Sequence, residues 1–290
     1  MYAQKIRRGL LAGAALVLST QLASAQVVNY VTYMDGAQQG TASPAVGSGT
    51  FVIDTVADTM TYSIEFSGLT AIQTAGHLHG LAAAGNNGAV LHGLQTGSPV
   101  NGVWNYPPSF EANILNGEVY VNIHTQAFAP GEIRGQIVPE PVTYCTCDTA
   151  APCGNTTSVG GCENSSGAGS QITTRGLSSI VIDSLELVAN NIPLQQPGIF
   201  FMGMGAPMVP FGDGHRCVGG TTFRFPAAGS GASQVLTLGP GIAASTASNP
   251  ASGQIQSGQT WNFQCWFRDP QGPCGNGWNL SDAVAVTWVP

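Results

Sequence analysis

Apolar and polar residues alternate along much of the chain beyond residue 26, which is the pattern of β-strands that bury one face. Residues 119–124 show it clearly, because Val119, Val121 and Ile123 fall on one side and polar residues on the other. In the first half of the chain the pattern predicts strands at residues 27–34, 49–54, 60–66, 119–124 and 132–138, and one short helix at 109–116.

The second half repeats the pattern of short apolar runs separated by glycine-rich turns, without a convincing sequence repeat of the first half. Two prolines bracket a charge at Pro139-Glu140-Pro141, which predicts a boundary there. We therefore predict an all-β protein of two antiparallel β-sandwich domains, Greek-key or jelly-roll-like, at residues 26–138 and 144–290 with a linker at 139–143. The strands predicted in the second domain are residues 179–188, 199–204, 222–225, 234–238, 261–267 and 283–289.

The N-terminal residues have the order of a signal peptide: bases at residues 5–8, an apolar run at 10–18 and a small-x-small site at 23–25. We expect residues 1–25 to be removed, rather than to form a buried helix, and the mature chain to begin at Gln26. No later apolar run is long enough to span a bilayer. The expected location is therefore secreted or periplasmic.

The amino-acid composition disfavours several fold classes and excludes one class of partner. Charged residues make up only 8% of the chain and glycines number 39, which disfavours coiled coils and helical bundles. Without the three bases of the leader, five arginines and no lysine stand against 15 acidic residues. Nucleic-acid binding needs clustered bases to replace phosphate counterions, so we exclude nucleic acid as a partner.

All seven cysteines follow residue 140, and an exported setting favours three disulfides with one thiol left over. The sequence leaves their connectivity open. The alternative is a zinc site, since thiolates favour zinc. Its four cysteines would be Cys145, Cys147, Cys153 and Cys162.

Four of the five histidines lie in the first half, and His77 and His79 are the most informative. Alternate residues of a strand share a face, so these two imidazoles point the same way. By the same alternation His124 lies opposite the apolar side of its own run. If their strands are neighbours, the three histidines converge and can supply metal ligands.

The run that follows contains Arg134, the only base between residues 26 and 138. Alternation turns Ile133 inward and Glu132, Arg134 and Gln136 outward, onto the same polar outer face as the histidines. Arg134 is then either a cation beside the cluster or half of a surface ion pair with Glu132, which would contribute little stability.

These residues carry a family resemblance. A first motif, residues 76–90, contains GHLHG and AGNNGAV, and a second motif, residues 120–136, contains YVNIHT and PGEIRGQ. Both resemble the signatures of the CHRD domain, named after chordin, and residues 49–51 and 62–69 resemble its opening hairpin. The resemblance covers residues 27–138 and implies an extracellular β-sandwich, found in chordin and in many exported bacterial proteins whose biochemical role is mostly undefined.

The order His77, His79, His92, His124 is also similar to the histidine order of copper–zinc superoxide dismutases, in which an arginine, here Arg134, lies at the mouth. That resemblance implies copper, which imidazoles bind strongly. The sequence departs from the pattern, because no aspartate lies between His79 and His124 to complete a zinc subsite, and the dismutase disulfide is absent. His92 matches no position of the CHRD signatures, and the favoured interpretation is a polar residue in a turn before Gly93.

The second half resembles a cysteine-containing β-sandwich module at the C-terminal ends of exported bacterial proteins, on residues 214–218, 264–270 and 280–284. Its four tryptophans can stack on carbohydrate, but alternation favours core packing for several of them. We interpret His215 as structural. The tryptophans are Trp261, Trp266, Trp278 and Trp288.

The leading hypothesis is a secreted, non-catalytic binding protein that holds a transition metal, copper favoured, through His77, His79 and His124, with His92 a further candidate. The first alternative is a copper-only, superoxide dismutase-like oxidoreductase, in which Arg134 would be catalytic. The second is a matrix or adhesion module whose partner is an extracellular protein or polysaccharide. The histidines can also be structural, each bonded to a backbone carbonyl.

Overall fold

The computed structural model of the protein describes residues 26–290, so the predicted leader lies outside the described residues. Within that range every strand pair is antiparallel, apart from one isolated parallel bridge, and each α-helix spans at most five residues. This confirms the all-β class. None of the helices in residues 26–290 has the length and apolar composition needed to cross a membrane.

The first half forms one antiparallel sheet of nine strands. Its elements are β1 (Val27–Asp35), α1 (Gly36–Gln39), β2 (Val46–Asp54), β3 (Thr59–Ser67), β4 (Gln73–Gly80), β5 (Ala89–Leu94), β6 (Val100–Asn105), α2 (Glu111–Leu115), β7 (Tyr120–Thr125), β8 (Ile133–Gln136) and β9 (Val138–Pro139).

The strand order in this sheet is β5-β4-β7-β8-β1-β2-β3-β6, with β9 also paired to β1. The sheet curls around an apolar core that includes Phe51, Ile64, Leu78, Val121 and Ile133, all fully buried. Removing such a side chain from water contributes about 1.5–3 kcal/mol. The predicted inward face of the second motif is therefore correct, and β7 lies between β4 and β8, which brings the two motifs together.

The opposite face of β8 is buried as well, which corrects the expectation of an exposed polar face. Glu132, Arg134 and Gln136 are at most 3% exposed. The helix α1 and the loop of residues 81–88 cover Arg134 and Gln136: the Gln136 amide donates to Ala82 O at 3.0 Å, and its backbone N–H donates to Gln38 Oε1 at 3.4 Å. Glu132 is covered by Ser43 and Thr70, which donate to its carboxylate. Alternation identifies the face of a strand but not the segments that cover it.

The second half forms three further antiparallel sheets. Its elements are β10 (Val142–Tyr144), β11 (Gln171–Arg175), β12 (Glu186–Asn190), β13 (Pro197–Gly203), β14 (Val209–Phe211), β15 (Gly214–Arg216), β16 (Phe223–Arg224), β17 (Ala228–Gly229), β18 (Leu236–Leu238), α3 (Ile242–Ser245), β19 (Thr260–Arg268) and β20 (Trp278–Thr287).

The largest of these sheets has the order β10-β20-β19-β13-β16 and carries a second apolar core on one face. Trp261 and Trp288 are buried in that core, as alternation predicted, whereas Trp266 and Trp278 are partly exposed. One predicted strand is mostly wrong: of residues 179–188, only the end is strand. Ser179 Oγ accepts backbone N–H groups at 3.3 Å and Asp183 has φ of 45°, so this stretch turns instead.

The predicted linker is short in the structure, because β9 ends at Pro139 and β10 begins at Val142. Val138 packs against Leu177 and Val289 of the second half. No strand of one half joins a sheet of the other within residues 26–290. The domain boundary itself stays a prediction.

Six of the seven cysteines form disulfides, and the seventh, Cys265, is buried and free. Three disulfides and one thiol were predicted, and this is confirmed. All four cysteines of the alternative zinc site are paired, so none of them offers a thiolate. The pairs are Cys145–Cys217, Cys147–Cys162 and Cys153–Cys274.

Candidate metal centre

His77 and His79 lie on β4, and His124 lies on the neighbouring strand β7. The register places His79 opposite Tyr120, and Ala75 opposite His124, so His124 is one step diagonal to His77. All three imidazoles therefore occupy the face of the sheet that lies away from the apolar core. We call His77, His79 and His124 the histidine cluster.

The cluster is tight. One ring nitrogen from each residue can be chosen so that all three lie within 4.8 Å of one another. His77 Nδ1 and His124 Nε2 are 3.1 Å apart, and the ring centres of His77 and His79 are 5.4 Å apart. His79 is 9% exposed, while His77 and His124 are partly exposed, so the cluster opens to solvent on one side.

Backbone carbonyls fix two of the rings. His79 Nδ1 lies 3.1 Å from Gly88 O, and His124 Nδ1 lies 2.9 Å from Ala129 O. A carbonyl only accepts, so each Nδ1 carries the proton and each Nε2 keeps its lone pair. The same arrangement holds metal-ligating histidines in proteins, because the second nitrogen donates to a carbonyl and sets the tautomer.

The unprotonated Nε2 atoms of His79 and His124 have few hydrogen-bond partners. His79 Nε2 is buried and makes no hydrogen bond. His124 Nε2 faces His77 Nδ1, so either a proton or a metal ion must lie between these two nitrogens to prevent lone-pair repulsion. Two nitrogens bound to one ion at 2.0–2.1 Å and a tetrahedral angle lie about 3.3 Å apart. The observed 3.1 Å is close to that spacing.

Burial and neighbouring charges favour the neutral forms of His77 and His79. Desolvation lowers the pKa of His77, and the neighbouring His124 and His79 lower it further. Desolvation also lowers the pKa of His79, against the opposing effect of the Gly88 carbonyl, with His124 and Arg134 adding to the decrease. Neutral imidazole is the form that binds metal, so these shifts extend metal binding toward acidic pH.

Arg134 belongs to a stacked column beside the cluster. His79 stacks on Tyr120 with ring centres 5.2 Å apart and planes 13° apart. Arg134, from the other side of β7, places its guanidinium carbon 3.5 Å from the Tyr120 ring centre. It also donates to Asn87 Oδ1 at 3.3 Å and Gln136 Oε1 at 3.1 Å. Arg134 thus fixes the loop of residues 81–88 and does not project into solvent.

The same loop is held from its other end. Gly88 donates its N–H to the Tyr120 hydroxyl at 3.0 Å while its carbonyl meets His79. A Cβ at Gly88 would collide with the backbone of Gly80, so only glycine fits this close approach.

Glu132 is fully buried and does not pair with Arg134, which corrects the proposed surface ion pair. Residues 26–290 contain one ion pair, between Arg175 and Glu186. Ser43 Oγ, Thr70 N and Thr70 Oγ1 donate to Glu132 Oε1, and Thr125 Oγ1 donates to Oε2, at 2.7–2.9 Å. Desolvation raises the pKa of Glu132, but these hydrogen bonds outweigh it and hold the pKa below its usual value.

His92 lies apart from the cluster. It pairs with Leu78 across β4 and β5, so it faces the apolar core and not the histidine face. Its Nε2 lies 3.2 Å from the Tyr62 hydroxyl, and its ring stacks on Trp104. His215 is also remote: it is buried against the Cys147–Cys162 disulfide, with Nε2 3.0 Å from Ala150 O.

Residues 18–137 match the CHRD domain. The first half of the chain is therefore a CHRD domain. The match begins inside the stretch that the sequence assigns to the leader. No curated protein and no solved structure matches the chain. The likeness to superoxide dismutases and to a C-terminal bacterial module stays a prediction.

In the CHRD domain the two motifs form one structural unit. The first motif provides His77, His79 and the loop of residues 81–88. The second motif provides Tyr120 and Arg134, which hold that loop through hydrogen bonds to Gly88 and Asn87. The sequence indicated the three histidines through alternation. It gave no signal for Gly88 or Asn87 as partners, because their roles depend on a loop folding back over the sheet.

Proposed function

We propose that the protein is an extracellular binding protein whose CHRD domain holds one transition-metal ion through His77, His79 and His124. The observation that carries the proposal is the histidine cluster itself, with two Nδ1 atoms anchored on carbonyls and a buried, unpartnered Nε2 on His79. A structural histidine has no need to leave a buried nitrogen without a partner, since such a group costs about 1–3 kcal/mol. The three disulfides and the CHRD match fit an extracellular protein.

The donor set favours copper. The cluster contains imidazoles and no carboxylate or thiolate, and imidazole sites bind divalent copper more tightly than zinc, nickel or cobalt. The widest nitrogen spacing exceeds that of a bound ion, so small rotations of the partly exposed His77 and His124 accompany binding in this proposal. Metal would supply charge at the sheet surface, and the chain would supply orientation through Gly88 and Ala129.

Binding without turnover is the better-supported form of the proposal. A dismutase-like enzyme needs a cation that can meet a small anion at the metal. Arg134 is 3% exposed and engaged by Tyr120, Asn87 and Gln136, so it is poorly placed to do so. We expect the copper-loaded protein to consume superoxide no faster than the zinc-loaded protein, whose metal is redox-inert.

The test is a competition titration of the folded, metal-free protein with copper and zinc against a chelator of known affinity. We expect one copper per chain, and a loss of at least about 100-fold in affinity in His77→Ala and in His124→Ala. His92→Ala is the matched control, because His92 lies on the core side of the same sheet. Unchanged copper affinity in both cluster variants, or an equal loss in His92→Ala, would overturn the proposal.

A further inference from the structure

A groove of about 550 Å³ lies on the face of the largest second-half sheet that is turned away from its main core. Side chains from neighbouring strands form the floor of the groove. The pairs that lie opposite each other are Phe201 and Arg224, Ile199 and Trp266, and Arg268 and Trp278. The β14–β15 hairpin contributes one wall. We call this the arginine groove. Its main lining residues are Phe201, Phe211, Arg216, Arg224, Trp266, Arg268 and Trp278.

The groove is positively charged, whereas the chain as a whole is negatively charged. Residues 26–290 contain five arginines and no lysine against 15 acidic residues, and three of those arginines line this one groove. Arg216, Arg224 and Arg268 are all exposed, and none of them is part of the ion pair found in the described residues. Three unpaired guanidinium groups on one surface repel each other, so an anionic ligand would relieve that repulsion.

The walls between the arginines are aromatic. Trp266 and Trp278 are partly exposed, Phe211 is 41% exposed, and the Arg216 guanidinium carbon lies 5.9 Å from the Phe211 ring centre. The Trp278 Nε1 atom is buried against Gly212, so the indole presents the face of its ring to the groove and not its N–H. The groove therefore offers flat apolar surfaces and donors, while Thr222 is its one neutral polar side chain.

We propose that the arginine groove binds an acidic polysaccharide. Guanidinium forks recognise carboxylate and sulfate groups with paired hydrogen bonds, and exposed indole faces stack on the C–H faces of sugar rings. A neutral sugar would need acceptors for its hydroxyl protons, and arginine supplies none.

The sheet favours a polysaccharide over an acidic peptide. Peptides commonly bind to a sheet by adding a strand at a free edge. In the arginine groove β19 is paired on both sides, by β13 and β20, and β13 is paired by β19 and β16. The edge strand at the groove, β16, spans only two residues and offers little backbone for an added strand. Recognition on this surface therefore relies on side chains presented face-on, which suits stacked rings joined in a chain.

The experiment measures binding of the full mature chain to polygalacturonate, dextran sulfate and neutral dextran, at low and at physiological salt. We expect binding to at least one acidic polymer and none to dextran. The triple variant R216Q/R224Q/R268Q should lose about tenfold or more in affinity. The control is R175Q, which removes an exposed arginine outside the groove. Thermal unfolding of each variant checks that it is folded.

Two further arms decide the ligand class. Trp278→Ala should weaken polymer binding while leaving all charges in place, because it removes a stacking surface. Poly-L-glutamate should bind more weakly than the acidic polysaccharide at equal charge. The proposal is overturned if neither acidic polymer binds, if R175Q loses as much as the triple variant, or if polyglutamate binds as well. The outcome is independent of the histidine cluster, because no groove residue belongs to the CHRD domain.

Discussion

The guanidinium carbon of Arg134 lies 3.5 Å from the centre of the Tyr120 ring, in a part of the sheet that is closed to solvent. Tyr120 in turn stacks on His79, so a cation, a phenol and a metal-ligand candidate form one column across three strands. The arrangement makes the position of His79 depend on residues that would never touch a bound ion.

Arg134→Lys should destabilise the protein despite conserving charge. An ammonium cannot lie flat on Tyr120 while donating to both Asn87 and Gln136, so we expect a loss of about 1–3 kcal/mol in the free energy of unfolding. Chemical denaturation measures it. Arg175→Lys, at an exposed ion pair, should change stability by less than about 0.5 kcal/mol. Equal stability of the two variants would contradict the role assigned to the column.

Gly88→Ala should weaken copper binding without removing any ligand. The added Cβ meets the Gly80 backbone and pushes away the carbonyl that orients His79. We expect a decrease of about 10–100-fold in copper affinity, the usual effect of losing such a partner. Gly93→Ala is the control, since nothing lies within 4 Å of a Cβ there. If both variants bind copper like the wild type, the Gly88 carbonyl does not position the ligand.

Glu132→Gln should cost about 2–4 kcal/mol at neutral pH, because an amide cannot accept all four hydrogen bonds of the buried carboxylate. The hydrogen bonds hold the folded pKa of Glu132 below its unfolded value, so the charged form stabilises the fold at neutral pH and this stabilisation is lost as the pH falls through the folded pKa. The difference between wild type and variant should therefore shrink as pH falls below about 4.5. Denaturation at pH 7 and pH 3.5 measures it, with exposed Glu65→Gln as the neutral comparison.

Asp282 should show the opposite dependence on pH. Burial raises its pKa to about 7, against one hydrogen bond from the Ile172 N–H that lowers it. The folded state thus holds this proton more tightly than the unfolded state, and stability falls as pH rises from about 4 to about 7. Asp282→Asn removes that slope.

Relative to the wild type, the Asp282→Asn variant should gain on the order of 2–4 kcal/mol between pH 4 and pH 8. Denaturation of both proteins across this range measures the difference. A constant difference would show that Asp282 is already charged in the fold.

Cys265 should be the single thiol of the folded protein and should be unreactive. It is fully buried, and burial raises its pKa, so the nucleophilic thiolate is suppressed. A thiol reagent should modify no cysteine in the native protein and one per chain after denaturation without reductant. More than one would mean that a disulfide assigned here is not formed.

Alternation along the sequence predicted β1, β2, β3, β7 and the stretch of β8 and β9, and the shared face of His77 and His79, because it follows from backbone geometry alone. It did not predict β5 or β6. It could not place His92, since that depends on the β4–β5 register, which shifts between Leu78 and His79. A register shift of one residue moves a side chain to the other face of the sheet.

Exposure was the harder property to predict. Glu132 and Arg134 have the composition of a surface strand, yet Ser43 and Thr70 cover the first and the loop of residues 81–88 covers the second. The arginine groove could not be predicted from the sequence either, because Arg216, Arg224 and Arg268 lie on three different strands. The burial of Glu132 and Arg134 and the formation of the groove both depend on contacts between segments that are distant in the sequence, and local patterns do not contain that information.

The sequence spacing of the disulfide pairs favours one order in which they form during oxidative folding. Cys147 and Cys162 are 15 residues apart, so their encounter needs only a short loop. Cys153 has to pair with Cys274, which is 121 residues away, although Cys147 and Cys162 are much nearer in the sequence. A compartment with a disulfide isomerase would therefore raise the yield of native protein more than a stronger oxidant would.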